Sequence, residues 1–235
     1  MSFFQRLKGI FFTPQQTFEA LTKKAVWVDI LIFLLIISAL FQFIIAPYQQ
    51  KDTLQLWKNN VKLQERMGEE SYNKMIERLE NPSPTARYIQ PFLMIPLALG
   101  FGFLISSLLI LGLGRLTSTQ GNFLLVFSAL LHAQLIDKLL GNAVRLVLIL
   151  MRKSVMQTST SLALFFPHLE TTSFSYIVLS QFDFFQLWLF GILGYGLSSI
   201  FKIEVKKGLI ISYAFWLLKS IFNIAISLPF LRMMG

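Results

Sequence analysis

The sequence predicts an all-α polytopic membrane protein: about five transmembrane helices, an N-terminal amphipathic helix and an external helical hairpin. Three observations carry this. Hydrophobic residues make up 54% of the 235 and charged residues only 14%, with a mean hydropathy of +0.61, whereas a soluble domain carries about a quarter charged residues. The 24 phenylalanines are more than a water-soluble fold of this length can hide. The apolar residues also fall in runs long enough for a ~30 Å hydrocarbon core, which takes about 20 helical residues. Length divided into such spans gives a single membrane domain over residues 1–235.

Residues 1–25 form a cytoplasmic amphipathic leader. Phe3, Phe4, Leu7, Ile10 and Phe11 recur at helical spacing with Arg6 and Lys8 among them, one apolar face and one basic. Thr13-Pro14 reads as an N-cap followed by proline at the first helical position, and Gln16 completes a capping box. Phe18 and Leu21 continue the apolar face. Such a helix lies in the headgroup plane or packs against the bundle's own end; both readings stay open.

The first span runs from Val26 to Pro47, with Trp27 and Tyr48 at its two interfaces. It begins behind a structured basic leader, and Pro47 follows Ala46, the only small residue near its end, so a retained span is expected and not a cleaved signal. Residues 49–87 then leave the membrane as a helical hairpin inserted between spans one and two. Leu54, Trp57 and Val61 make one weak stripe; Tyr72, Met75, Ile76 and Leu79 make a stronger one. Gly68 separates them and Asn81-Pro82-Ser83-Pro84 ends the second. Its seven basic residues (Lys51, Lys58, Lys62, Arg66, Lys74, Arg78, Arg87) oppose six acidic ones, the composition of a solvated surface laced with ion pairs.

The second span covers Tyr88 to Leu113, where Gly102 and Ser106 make a small-xxx-small step that permits close helix approach. The fourth, Phe182 to Phe201, carries Gly191, Gly194, Gly196 and Ser198, and the fifth runs from Leu209 to Leu228. Gly102, Ser106, Gly191, Gly194 and Ser198 are the candidate helix-packing positions. Between Arg152 and Gln181, the runs Leu162–Phe166 and Tyr176–Leu179 are too short to span; interfacial half-helices or a flap are expected.

The third apolar region, Phe123 to Met151, would be ~44 Å long as one helix at 1.5 Å per residue. A tilted or protruding span fits, and so does a re-entrant hairpin broken near Asp137-Lys138. Basic residues favour the cytoplasmic side. With one span, inside segments hold Arg6, Lys8, Lys23, Lys24, Arg115, Lys202, Lys206 and Lys207, eight against Arg152, Lys153 and Arg232 outside. The re-entrant alternative also divides eight to three. Loop charge therefore places the N-terminus in the cytoplasm without counting the spans.

The net charge of +9 is spread over several loops and makes no stripe, so it reads as membrane topology and not as nucleic-acid binding. There is no cysteine. His132 and His168 lie far apart without metal-ligand spacing, and each is expected in an ordinary hydrogen-bonding role. The sequence has no phosphate-binding glycine loop, paired-histidine zinc motif or nucleophile elbow. No catalytic residue, cofactor or metal is predicted.

The informative residues are the charges at membrane depth: Asp137, Lys138, Arg145 and Lys219, a candidate intramembrane charge network. Each central charge costs ~2.5–3.5 kcal/mol on the insertion scale. Arg145 can snorkel past Met151, whereas Lys219 lies near mid-depth. Asp137 is the one acid at that depth, and pairing with Lys219 or Lys138 is expected. The alternative is that the third helix breaks there and these groups meet water.

The leader with Pro14-Gln-Gln-Thr-Phe18, a first span, a long polar insertion and four further spans resembles the bacterial branch of the Yip domain family (Ypt/Rab-interacting proteins). The closest local match is Asp183-Phe-Phe-Gln-Leu-Trp188, which opens the Gly-rich fourth span and is followed by the basic turn Lys202 to Lys207. The resemblance implies five spans, a cytoplasmic N-terminus and an exported C-terminus in a bacterial cytoplasmic membrane, and it brings no catalytic residues. Eukaryotic members contact prenylated small GTPases through a second span with an acidic-Leu-Tyr-Gly-Pro signature. This chain has Tyr88-Ile-Gln-Pro91 there, so small-GTPase binding is not expected. Expected instead is a non-enzymatic protein that organises membrane or partner proteins through helix packing. Its partners are then the lipid bilayer, further copies of itself or other membrane proteins. The rival reading is a channel, transporter or lipid-moving protein that uses the intramembrane charges.

Overall fold

In a computed structural model every regular element among the described residues is helical. The structure describes residues 1–156 and 160–234; the side chains of 61–63, 87–88, 90–91 and 230–234 lie outside that description. Outside it, therefore, are Val61 of the weak stripe, the charges of Lys62, Arg87 and Arg232, and Tyr88 and Pro91 of the second-span signature.

The leader is two helices, α1 (Phe3–Phe12) and α2 (Pro14–Lys23). A reciprocal capping box starts α1: the Gln5 backbone N–H donates to Ser2 Oγ and the Ser2 N–H to Gln5 Oε1. The box expected at Thr13 and Gln16 does not form. Thr13 also closes α1, giving its N–H to the Gly9 carbonyl, and its ψ of 58° lies outside the extended conformation from which a cap side chain reaches the first turn. Pro14 opens α2 as expected.

Helix α3 (Val28–Lys58) continues through Pro47, the predicted end of span one. A proline removes one ladder bond, and membrane helices tolerate that where neighbours or local adjustment satisfy the freed carbonyl. Leu54 and Trp57 therefore belong to the end of α3. The hairpin is completed by α4 (Val61–Met67) and α5 (Glu69–Glu80), which pack together and are separated by Gly68 at φ +76°. A π-helical stretch, Thr85–Met94, leads into α6 (Ile95–Arg115).

The third apolar region is one helical run. Helix α7 (Phe123–Ala133) passes through a π-helical turn (Ile136–Gly141) into α8 (Asn142–Arg152) with no chain reversal. Two short pieces follow, a 3₁₀ turn Leu162–Phe165 and α9 (Phe174–Ser180), which pack on one another. Helices α10 (Phe184–Phe201) and α11 (Val205–Met234) complete the chain. Among the described residues five helices are long and apolar enough to cross a membrane: Val28–Lys58, Phe92–Arg115, Phe123–Arg152, Phe184–Phe201 and Val205–Pro229. The chain is thus an all-α, multi-pass membrane protein.

The two most buried of these helices are also the two least apolar. The third and fourth spans are 67% and 61% buried and have the lowest mean hydropathy, 1.6 and 1.5. The other three are 17–28% buried with hydropathy of 1.8 to 2.7. A helix that meets lipid has to be apolar all round, whereas one covered by protein can carry polar groups that neighbours satisfy.

The chain forms two compact units. The first comprises Met1–Ser38, Pro96–Asn142 and Phe184–Ser220. Within it α2 packs on α10 and α7, and α1 packs on α2 and α7. Ile10, Phe18 and Leu21 are buried there with residues of α7 and α10 such as Leu130, Leu189 and Leu193. Of the two fates open to the leader, packing on the bundle is the one adopted, while Phe4 and Phe12 stay exposed. The second unit comprises Ala39–Ile95, Ala143–Asp183 and the chain from Ile221 on.

Candidate functional site

In the first unit a buried polar cluster joins the leader to the bundle. Arg6 is 5% exposed although it sits on the basic face of α1. It forms an ion pair with Asp29 at the start of α3, donates from Nη1 to the Met1 carbonyl at 2.9 Å, and donates from Nε to His132 Nε2 at 3.2 Å. The other ring nitrogen of His132, Nδ1, lies 2.7 Å from the Ser128 carbonyl. A carbonyl only accepts, so Nδ1 carries the proton and Nε2 is left as the acceptor that Arg6 needs. Nearby, Ser128 Oγ donates to the Val26 carbonyl at 2.8 Å. The hydrogen-bonding role expected of His132 is generic; its partner Arg6, 126 residues away, carries no signal in the sequence beyond helical spacing.

Asp137, fully buried, stands in the π-helical turn, and its Oδ2 lies 3.0 Å from Lys138 Nζ. This is one of the two pairings expected from its depth. Lys219 on α11 donates to Gln186 Oε1 at 2.9 Å and lies 5.8 Å from the centre of the Phe190 ring, close enough for a cation–π contact. Gln186 was not singled out in the sequence, although it lies in the Asp183–Trp188 stretch.

The small residues of α10 lie against α11 within this unit. A Cβ on Gly194 would come within 2.9 Å of Leu209 Cα, and one on Gly208 would overlap the Gly194 carbonyl and meet Ser198 N at 2.9 Å. Gly191 faces the Tyr213 hydroxyl. Gly196 lies against the ring of Phe18, so a glycine of α10 seats the leader. Gly208 lies at the head of span five and is the partner the sequence reading missed. On α6 the outcome differs: nothing lies within 4 Å of a Cβ built on Gly102, and Ser106 is half-buried.

The second unit holds the remaining candidate charge. Arg145 Nη2 lies 3.1 Å from both carboxylate oxygens of Asp183, to which Thr160 Oγ1 also donates at 2.6 Å. Arg145 thus belongs with Asp183, the residue that opens the fourth-span motif, and falls in a different unit from Asp137, Lys138 and Lys219. Buried Asp52 makes a second junction, accepting from Ser154 Oγ at 2.7 Å and from the Val155 N–H at 2.6 Å. Depth in an apolar run flagged Arg145, whereas Asp52 lies in the polar insertion and Asp183 at the very edge of the fourth span, so neither stands out by depth.

The chain matches no family model, no curated protein and no solved structure.

Proposed function

We propose that the chain is a non-enzymatic multi-pass membrane protein, Yip-like, that organises membrane or partner proteins through helix packing. It would sit in a bacterial cytoplasmic membrane with its N-terminus in the cytoplasm. The observation that carries this reading is the two-fold use of small residues. Gly194, Gly196, Ser198 and Gly208 lie against other parts of the same chain, whereas Gly100, Gly102 and Gly112 on α6 have nothing within 4 Å. A membrane helix that keeps small residues on an uncovered face leaves room for the backbone of another helix. The ionic groups at membrane depth fit the same role, since Asp137 meets Lys138 and Lys219 meets Gln186.

The chain has no cysteine, so single thiols can be placed at will. Gly102→Cys in native membranes, treated with a bifunctional thiol reagent, should give a covalent dimer or one defined adduct. Leu218→Cys, on an exposed part of α11, should give neither. Monomer alone at both positions, or equal adduct yields at both, would overturn the proposal.

A further inference from the structure

The second unit contains a groove of about 660 Å³ between the later turns of α3 and the chain from α5 to the start of α6. We propose that it binds one anionic phospholipid of the surrounding bilayer, with an acyl chain at its apolar end and the phosphate at Arg78. The volume lies within the range of ordinary ligand sites, roughly 300–1,000 Å³.

The walls carry the polarity gradient of such a lipid. Apart from Gln42 at the near end, the α3 lining passes from Phe43 and Ile44 to Gln50 and Thr53, a rise of about 15 Å at 1.5 Å per residue. Ile95 completes the apolar end, and the Phe43 and Phe92 rings meet with centres 5.3 Å apart. This end belongs to two helices that meet the length and apolarity of membrane spans, so a lipid chain reaches it from the hydrocarbon without crossing water.

The polar end selects the headgroup. Among the described residues Arg78 is the one charged side chain lining the groove, and it makes no hydrogen bond or ion pair there. Its planar fork suits two phosphate oxygens at once. Gln50 is held by donating to the Leu79 carbonyl at 2.6 Å, which ties α3 to the end of α5 beside that arginine. Among the described residues no carboxylate lines the groove, so the cation of a zwitterionic headgroup finds no counter-charge there, while a net negative headgroup does.

The test uses the full-length protein in mild detergent, titrated with short-chain phosphatidylglycerol or phosphatidylcholine and read by native mass spectrometry. One phosphatidylglycerol should bind in preference to phosphatidylcholine. Because one basic side chain contributes about 1 kcal/mol toward an anionic lipid, Arg78→Gln should weaken phosphatidylglycerol about fivefold and weaken phosphatidylcholine, whose choline offsets its phosphate, by less. Ala46→Phe, which fills the groove from its α3 wall, should weaken binding while Arg78 is intact. Equal occupancy by the two lipids, untouched by Arg78→Gln, would mean unselective boundary lipid and overturn the proposal. So would competition by chain-free glycerophosphoglycerol as strong as that of the intact lipid, which would mean an anion site without a chain groove. Neither outcome bears on crosslinking at Gly102.

Discussion

Arg6 donates at once to Met1, His132 and Asp29, and the three acceptors differ in what they can do without it. The Asp29 side chain is 41% exposed and can take up water, but His132 has no exposed surface. The loss in Arg6→Ala should therefore fall mainly on the imidazole, at about 1–3 kcal/mol for an unsatisfied buried group. Thermal unfolding in detergent would register this as a lower midpoint. Adding His132→Phe removes the stranded acceptor along with its donor, so the double variant should be less destabilised than the two singles summed, by roughly 0.5–3 kcal/mol. Strict additivity would mean that the two side chains do not act as a unit. Ser38 is the converse case. Among the described residues its Oγ is the buried side-chain atom without a partner, so Ser38→Ala should leave stability unchanged or raise it by about 1 kcal/mol. Nothing in the sequence separates Arg6 from Lys8, two basic residues on one short helix; only the positions of residues 29 and 132 do.

Helices α6 and α10 look alike in sequence, each apolar and each dotted with glycine, yet Gly100, Gly102 and Gly112 of α6 meet open space, unlike Gly114 beside Phe201 and the packed glycines of α10. Gly208→Ala should push a methyl into the Gly194 carbonyl and the Ser198 backbone, at a cost of about 1–3 kcal/mol for overpacking. Gly112→Ala meets open space and should be neutral, or stabilising by up to about 1 kcal/mol through the better helix propensity of alanine. Melting the two variants side by side checks the contrast, and equal loss in both would contradict it. The candidate packing positions were thus legible as a residue type at a spacing, but which helix each would meet was not. The same holds for the leader. Its amphipathicity was plain from the positions of Phe3, Leu7 and Ile10, whereas its landing site depends on Gly196, which makes room for Phe18.

At the level of the whole chain, the proposed topology has five crossings, with the leader inside and the two termini on opposite sides of the membrane. Single cysteines at Glu69 and Glu170 should then react with an impermeant maleimide in intact cells, and those at Glu19 and Gln120 only after permeabilisation. All four residues are exposed. Gln120 and Glu170 flank the third apolar region, so they report on it alone. Labelling of both from the same side would mean that residues 123–151 turn back within the bilayer, against the continuous helix through the π turn at Asp137.

Membrane residence and the number of candidate spans were legible in the sequence, because a bilayer imposes a length of apolar chain and that length is a one-dimensional, local property. The third region was the exception. Its hydropathy is low because protein and not lipid surrounds it, a condition that no single segment reveals about itself. Tertiary structure alone decided which spans face lipid, that the leader packs on α7 and α10, and which partner each buried charge takes. Arg6 with His132 and Arg145 with Asp183 are separated by 126 and 38 residues. The cost of an unpaired charge in a medium of low polarity requires that a partner exist. Which residue fills that place is set by the packing that brings the two together.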